Sequence, residues 1–62
     1  MRKFRAVGYV EWAEEQTTEE WELFIEAVDE HEAYVEADAE INSQLDELNN
    51  FGELVQIEVF EL

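Results

Sequence analysis

The residues best suited to do chemistry are three glutamates, Glu32, Glu36 and Glu40, which recur every four positions. On an α-helix this spacing sets their carboxylates in one row, with about 6 Å of rise between neighbours. Phosphates advance about 3.4 Å along each strand of duplex DNA. The row therefore suggests a mimic of nucleic-acid charge that occupies a Lys- or Arg-lined channel. The alternative interpretation is the solvated face of a helix in an acidic protein.

The charge balance of the whole chain favours the first interpretation. There are 18 acidic and 3 basic residues in 62, and the formal net charge is −15. The three basic residues are Arg2, Lys3 and Arg5, and residues 6–62 contain no Lys or Arg. Ordinary soluble surfaces mix both signs, and an excess of one sign destabilises the compact state. The composition thus predicts a basic protein surface as partner, with fast and salt-sensitive association.

Two surfaces are candidates for the contact. One is acidic, from the predicted helix and the connection that closes the first hairpin. The other is the apolar side of a sheet that one helix leaves uncovered; it would serve a partner or a homodimer, or would only stiffen the sheet. The acidic candidates are Glu30, Glu32, Glu36, Asp38, Glu40, Asp46 and Glu47 on the helix and Glu14, Glu15 and Glu19 in the connection; the apolar ones are Val7, Tyr9, Phe24 and Phe60.

Other chemistry has little support in the sequence. There is no cysteine, which excludes a disulfide framework and a thiol nucleophile. His31 is the one histidine, and Val35 stands where the zinc-protease helix motif needs its second histidine. Three cations are too few to neutralise a phosphate backbone, so direct nucleic-acid binding is not expected. We expect no enzyme activity, no cofactor and no metal.

Alternating apolar residues predict the strands that carry these surfaces. Residues 2–12 form the first strand, in which Gly8 lets a helix approach or marks a bulge. Residues 13–19 are polar and are predicted to connect the first two strands. Residues 20–28 fit a strand better than a helix, because Glu alternates there with apolar side chains. Residues 54–61 alternate again and form the last strand.

A helix is predicted from residue 30 to about residue 49. Asp29 can cap its first turn, and Asn49, Asn50 and Gly52 tolerate the left-handed backbone that ends many helices. The order strand, strand, helix, strand predicts an α+β fold in a single domain, residues 1–62. A right-handed crossover delivers strand 3 parallel to strand 2. The simplest arrangement then places strand 1 in the middle, which predicts a three-stranded mixed sheet of order 2-1-3 with the helix packed on one face. The predicted core is Phe4, Ala6, Val10, Trp12, Trp21, Leu23, Ile25, Tyr34, Ala37, Ile41, Leu45, Leu48, Val55, Ile57 and Val59.

In size, acidity and lack of catalytic residues, the whole chain resembles the small acidic inhibitors that phages direct against host nucleic-acid enzymes. These are the anti-CRISPR proteins and the DNA-mimic inhibitors of restriction and repair enzymes. The resemblance includes no sequence motif, so no functional residue is carried over. It implies that carboxylates stand in for phosphates and block a nucleic-acid-binding surface.

A halophilic source is the competing explanation of the acidity, although 15 Glu against 3 Asp departs from the Asp preference of such proteins. The chain has neither a signal-peptide pattern nor an apolar stretch of membrane-spanning length. We therefore expect no membrane association and a cytoplasmic location, which is the host cytoplasm if the protein is phage-encoded.

Overall fold

The computed structural model describes residues 1–48 and 52–62, which form three β-strands and one α-helix. In chain order these are β1 (Arg2–Trp12), β2 (Thr17–Ala27), α1 (Glu30–Glu47) and β3 (Gly52–Glu61). The sheet order is β2-β1-β3, so the predicted α+β fold and strand order are confirmed. The expectation of a mixed sheet was wrong: β2 and β3 run in the same direction, but β1 lies between them, so both ladders are antiparallel.

β1 and β2 form a long hairpin around residues 13–16. The register pairs Trp12 with Thr17 and Arg2 with Ala27, so every residue of both strands belongs to the ladder. In the turn, the Gln16 N–H donates to the Trp12 carbonyl at 2.8 Å, and Gln16 has a φ of 54°. Residues 20–27 are strand, as predicted. The connection was predicted over residues 13–19, but the turn spans only residues 13–16. Such a short turn forms without glycine because Gln16 takes the left-handed conformation.

α1 begins at the predicted cap. The Asp29 carboxylate accepts a hydrogen bond from the Glu32 N–H at 2.8 Å, which satisfies one of the free donors of the first turn. The helix ends at Glu47. Asn49 and Asn50, which were predicted to end it, lie outside the described residues. The expectation for Gly52 was wrong: this glycine starts β3, and no described glycine has a positive φ.

The face that α1 buries consists of Ala33, Ala37, Ile41 and Leu45, spaced every four residues. The predicted stripe also included Tyr34 and Leu48, but their side chains are 46% and 57% exposed. Small alanines at the contact let a helix approach a sheet closely, whereas larger side chains would hold it away. The helix is therefore rotated toward its alanine side, and Tyr34 and Leu48 lie outside the core.

A β-bulge sets which residues of β3 face the helix. Tyr9 pairs with Gln56 but Val10 pairs with Leu54, so Val55 is an extra residue in the ladder. Val55 was predicted in the core and is instead 50% exposed. Leu54 takes its place and packs against the core residues around Val10.

The core lies between α1 and one face of the sheet and falls into two clusters. No polar or charged side chain of the described residues is buried in it. The first cluster consists of Phe4, Ala27 and Ala33 with Ile25 and Val59, and the second of Val10, Ile41 and Leu45 with Trp12, Trp21, Leu23 and Leu54.

The described residues form an elongated particle. Its extents are 39 × 18 × 14 Å, and its radius of gyration is 12.0 Å, against about 10.5 Å expected for a compact chain of this length. The long strands explain this shape, because eleven residues at about 3.3 Å each extend over about 36 Å. All the carboxylates are therefore spread along a narrow rod.

Gly8 permits the close approach of α1 to the central strand. A Cβ built at Gly8 would overlap the Cδ1 atom of Ile41 and would lie 3.3 Å from a methyl group of Leu54. Ile41 is completely buried, so it has little room to move away. The helix-approach interpretation of Gly8 is confirmed.

We expect Gly8→Ala to lower the free energy of unfolding by about 1–3 kcal/mol through overpacking. Ile41→Val removes the overlapping methyl group and by itself should cost about 0.5–1.5 kcal/mol. In the double variant the valine relieves the overlap, so its loss should be smaller than the sum of the single losses. Urea denaturation measures all three variants without changing the ionic strength. Additive losses would contradict direct contact between residues 8 and 41.

Candidate functional site: the acidic helix and the open sheet face

The helix acid row, defined as Glu32, Glu36 and Glu40, lies on α1 with the predicted spacing. Glu36 and Glu40 are exposed and Glu32 is half-buried. The Glu40 carboxylate accepts a hydrogen bond from the Gln44 side-chain amide at 3.0 Å. α1 contains no Lys or Arg, so the row has no positive neighbour on its own helix.

The other predicted acidic contacts are distributed over several surfaces. Asp38 lies on the flank of α1 that faces β3, beside Tyr34, and its carboxylate accepts from the Asn42 side-chain amide at 3.1 Å. The connection does not hold Glu19, which belongs to β2. The structure thus does not gather the predicted acids into one patch. The remaining predicted acids are all exposed as well, and they are Glu30, Asp46 and Glu47 on α1 and Glu14 and Glu15 in the turn.

A groove runs between α1 and the edge strand β2. It is an open depression of about 620 Å³. Glu36 and Glu40 line it from the helix, Leu23 and Ile25 from the strand, and Glu26 lies at its border. Glu26 was not among the predicted site residues, because strand alternation assigns its side chain to the opposite face of the sheet. At the edge of a sheet a long side chain on either face can border the same groove.

Arg2 joins the first strand to the last. Its guanidinium makes two hydrogen bonds to the Glu61 carboxylate, at 2.7 and 2.6 Å, and lies 5.4 Å from the ring centre of Phe4. These hydrogen bonds raise the pKa of Arg2 and lower the pKa of Glu61 from their ordinary values. Both side chains are about half exposed, so the pair contributes little to stability. The ion pair with Glu61 neutralises the charge of Arg2, one of the three cations.

The face of the sheet opposite α1, here called the open face, carries a hydrogen-bonded network. Arg5 Nε donates to the Glu22 carboxylate at 2.5 Å, and the Tyr9 hydroxyl donates to the Glu58 carboxylate at 2.6 Å. Glu22 and Glu58 are both paired with Val7 in the register. Each makes its hydrogen bond diagonally, Glu22 to Arg5 and Glu58 to Tyr9, which are the next residues of β1 on the same face as Val7. Their methylene groups therefore flank Val7, which is only 5% exposed. Val7 thus adds no exposed apolar surface.

Two exposed aromatic residues remain on the open face. Phe24 and Phe60 are 68% and 46% exposed, and each is paired with Arg5 in the register. The Arg5 guanidinium lies 5.7 Å from the ring centre of Phe60, within cation–π range. The predicted apolar patch is therefore a short row, Phe24–Arg5–Phe60, that contains a cation.

The hydrogen bond to Glu58 is the main cause that raises the pKa of the Tyr9 hydroxyl above its ordinary value of 10.0, with desolvation and the charge of Glu58 as further causes. Because folding raises this pKa, the hydrogen bond stabilises the folded protein below about pH 10. That stabilisation is lost as the pH rises through the pKa of Tyr9 in the folded state. We expect Glu58→Gln to lower the pKa of Tyr9.

Phenolate absorbance during alkaline titration measures this shift, in a Tyr34→Phe background that leaves Tyr9 as the single tyrosine. Circular dichroism at each pH verifies that the chain stays folded. Glu53→Gln, which removes an equal charge from the same strand, is the matched control and should shift the pKa less. An unchanged midpoint in Glu58→Gln would contradict the Tyr9–Glu58 hydrogen bond.

Mutual repulsion of the carboxylates should make stability depend on salt. The Debye length is about 30 Å at 0.01 M salt and about 8 Å at 0.15 M, while the described particle is 39 Å long. At low salt nearly all the carboxylates therefore repel one another. We expect the Tm at pH 7 to rise by several degrees between these two NaCl concentrations, as measured by circular dichroism.

The triple variant Glu32→Gln, Glu36→Gln and Glu40→Gln is the comparison for this experiment. It removes three neighbouring charges and should start from a higher Tm at low salt, with a smaller rise on adding NaCl. A flat or falling Tm in the unmodified protein would show that its carboxylates do not interact appreciably.

Within residues 1–48 and 52–62, no group of three or more Asp, Glu, His or Cys side chains is arranged to hold a metal ion. In the same part of the chain no helix is long and apolar enough to cross a membrane. Comparison of the chain with protein-family models, with curated proteins and with solved structures finds no match. No residue therefore takes a role from a relative.

Proposed function

We propose that this protein binds a basic protein surface of the kind that holds nucleic acid, and that it inhibits its partner by occupying that surface. The observation that supports this most strongly is the placement of charge. All 18 carboxylates belong to described residues, and none is buried. Arg2 and Arg5, two of the three cations, are held in ion pairs with Glu61 and Glu22. The field around the molecule is accordingly negative.

The acidic helix is the better candidate for the contact than the open face. Lys3 and Arg5 both lie on the open face, where Arg5 already pairs with Glu22. α1 carries no Lys or Arg, and its acid row keeps a regular spacing of four residues. A rigid row of carboxylates can match a row of phosphate-binding Lys and Arg side chains without first paying conformational entropy to order itself.

Inhibition follows from occupancy. A basic surface that binds phosphates does so largely through charge, with release of counterions and a steep dependence on salt. A carboxylate row on that surface excludes nucleic acid and shares the same salt dependence. The class-level resemblance to anti-CRISPR and DNA-mimic inhibitors agrees with this mechanism.

A second candidate function is an interaction or dimerisation module that uses the open face. The specific observation in its favour is Phe24, which is 68% exposed and lies beside Arg5 and Phe60. Exposed aromatic residues next to arginine are common at the energetic centres of interfaces. In this case the negative charge would steer the encounter and the open face would supply the affinity.

Capture experiments with immobilised protein in lysate of the source cell test the first proposal. We expect the captured proteins to be nucleic-acid-binding, to be displaced by excess duplex DNA or RNA, and to be lost as NaCl is raised from about 0.05 to 0.2 M, the range over which phosphate-type contacts weaken greatly. The helix variant Glu32→Gln, Glu36→Gln and Glu40→Gln should reduce capture strongly.

The matched control is Glu11→Gln, Glu20→Gln and Glu53→Gln, which changes the net charge equally on the sheet and leaves α1 intact. It should retain most of the capture. Equal losses in the two triple variants would favour steering by net charge alone. If Phe24→Ser with Phe60→Ser abolishes capture while the helix variant does not, the second candidate is favoured and the first is refuted.

A further inference from the structure

The outer edge of β2 is unpaired in the described chain. β2 pairs with β1 along all eleven of its residues, and the order β2-β1-β3 leaves its other side without a strand. An unpaired edge presents backbone N–H and C=O groups that can accept another extended segment. β3 forms the opposite edge, but its bulge at Val55 interrupts regular pairing. β2 is therefore the more regular edge for an added strand.

The groove beside β2 would receive the side chains of such a strand. A fourth strand would lie about 4.8 Å from β2, so its helix-facing side chains would enter the groove between β2 and α1. Leu23 and Ile25 in this groove are only partly buried. Glu36 and Glu40 line its helix side. The groove thus combines apolar contact with negative charge.

Charge decides which segment fits. A second copy of this chain would bring β2 against β2, and both copies carry Glu19, Glu20, Glu22 and Glu26 on that strand. Like charges on adjacent strands are destabilising. A segment that alternates apolar residues with Lys or Arg would instead match the strand and its carboxylates. Its aliphatic stems would also cover the partly buried leucine and isoleucine.

We propose that β2 accepts an extended basic segment of another protein as a fourth strand. On the helix side, the aliphatic stems of its Lys or Arg side chains cover Leu23 and Ile25 and their charged ends reach Glu36 and Glu40. The apolar side chains of the segment then lie on the opposite face, beside Phe24. This inference rests on the proposed function for the sign of the partner's charge. It adds the form of the contact, which is pairing of backbones at an edge.

Synthetic peptides of equal charge and length test the form of the contact. One alternates Lys with Val, and the other is a helix-forming peptide of Lys, Ala and Leu. We expect the alternating peptide to bind at least about tenfold more tightly, a difference of one decade in Kd. Hydrogen exchange measured by NMR should slow at alternate amides of β2 when it binds, and should not slow at β3.

Neutralisation of the groove provides the second measurement. Glu36→Gln with Glu40→Gln should weaken binding of the alternating peptide by roughly twofold to thirtyfold, as expected for two exposed ion pairs. Glu11→Gln with Glu53→Gln is the control, because these residues pair near the turn end of the sheet and give the same change in net charge. The control should change the Kd less.

The outcomes separate this inference from the proposed function. Equal affinity for the two peptides, or no protection of β2 amides, would overturn strand addition and leave binding to basic surfaces intact. Equal weakening by the two double variants would overturn the groove as the site. If neither peptide binds at low salt, both this inference and the proposed function are contradicted.

Discussion

The packing of α1 against the central strand is the contact on which the rest of this structure depends. It places Ile41 over Gly8, and the buried face of the helix is otherwise made partly of alanines, so that the backbones of helix and sheet come close. The core contains no polar or charged side chain of the described residues. The burial of these apolar side chains has to offset the repulsion among 18 carboxylates and the conformational entropy that the chain loses on folding. Because the carboxylates lie outside the core, the charge can serve binding without disturbing the packing.

The two sides of the sheet differ in their electrostatics for a related reason. On the open face no second helix of residues 1–48 and 52–62 covers the sheet, and long polar side chains do so instead. Arg5 with Glu22 and Tyr9 with Glu58 bond diagonally over Val7. This arrangement uses one of the few cations to shield apolar surface. On the helix side, the acidic residues of α1 have no Lys or Arg on the same helix. The acidic helix and the open face therefore offer different contacts, and each supports one of the two candidate functions.

An edge strand of eleven residues is a hazard for a small protein, because it can pair with copies of itself. Glutamates at four positions of β2 oppose such pairing. The same glutamates leave the edge open to a segment of opposite charge. Protection against self-association and selection of a basic partner can thus arise from the same side chains.

The sequence by itself determined the elements and their order. Period-two alternation identified the strands, Asp29 identified the helix start, and the simplest arrangement of the hairpin and the crossover helix predicted the observed strand order. The absence of cations after Arg5 also identified the acidic character of the surface. These features are local or compositional, so they can be read without knowledge of packing.

Only the tertiary structure decided which side of the helix is buried, where β3 has its bulge, and which acidic residues lie together. Tyr34 and Leu48 continue the apolar spacing of α1, but close contact with the sheet selects the alanine side instead. The bulge depends on how β3 pairs with β1, which no local pattern specifies. The groove that brings Glu26 near Glu36 and Glu40 joins two elements far apart in the chain. Such features arise from contacts between elements, and they exist only once the helix has packed on the sheet.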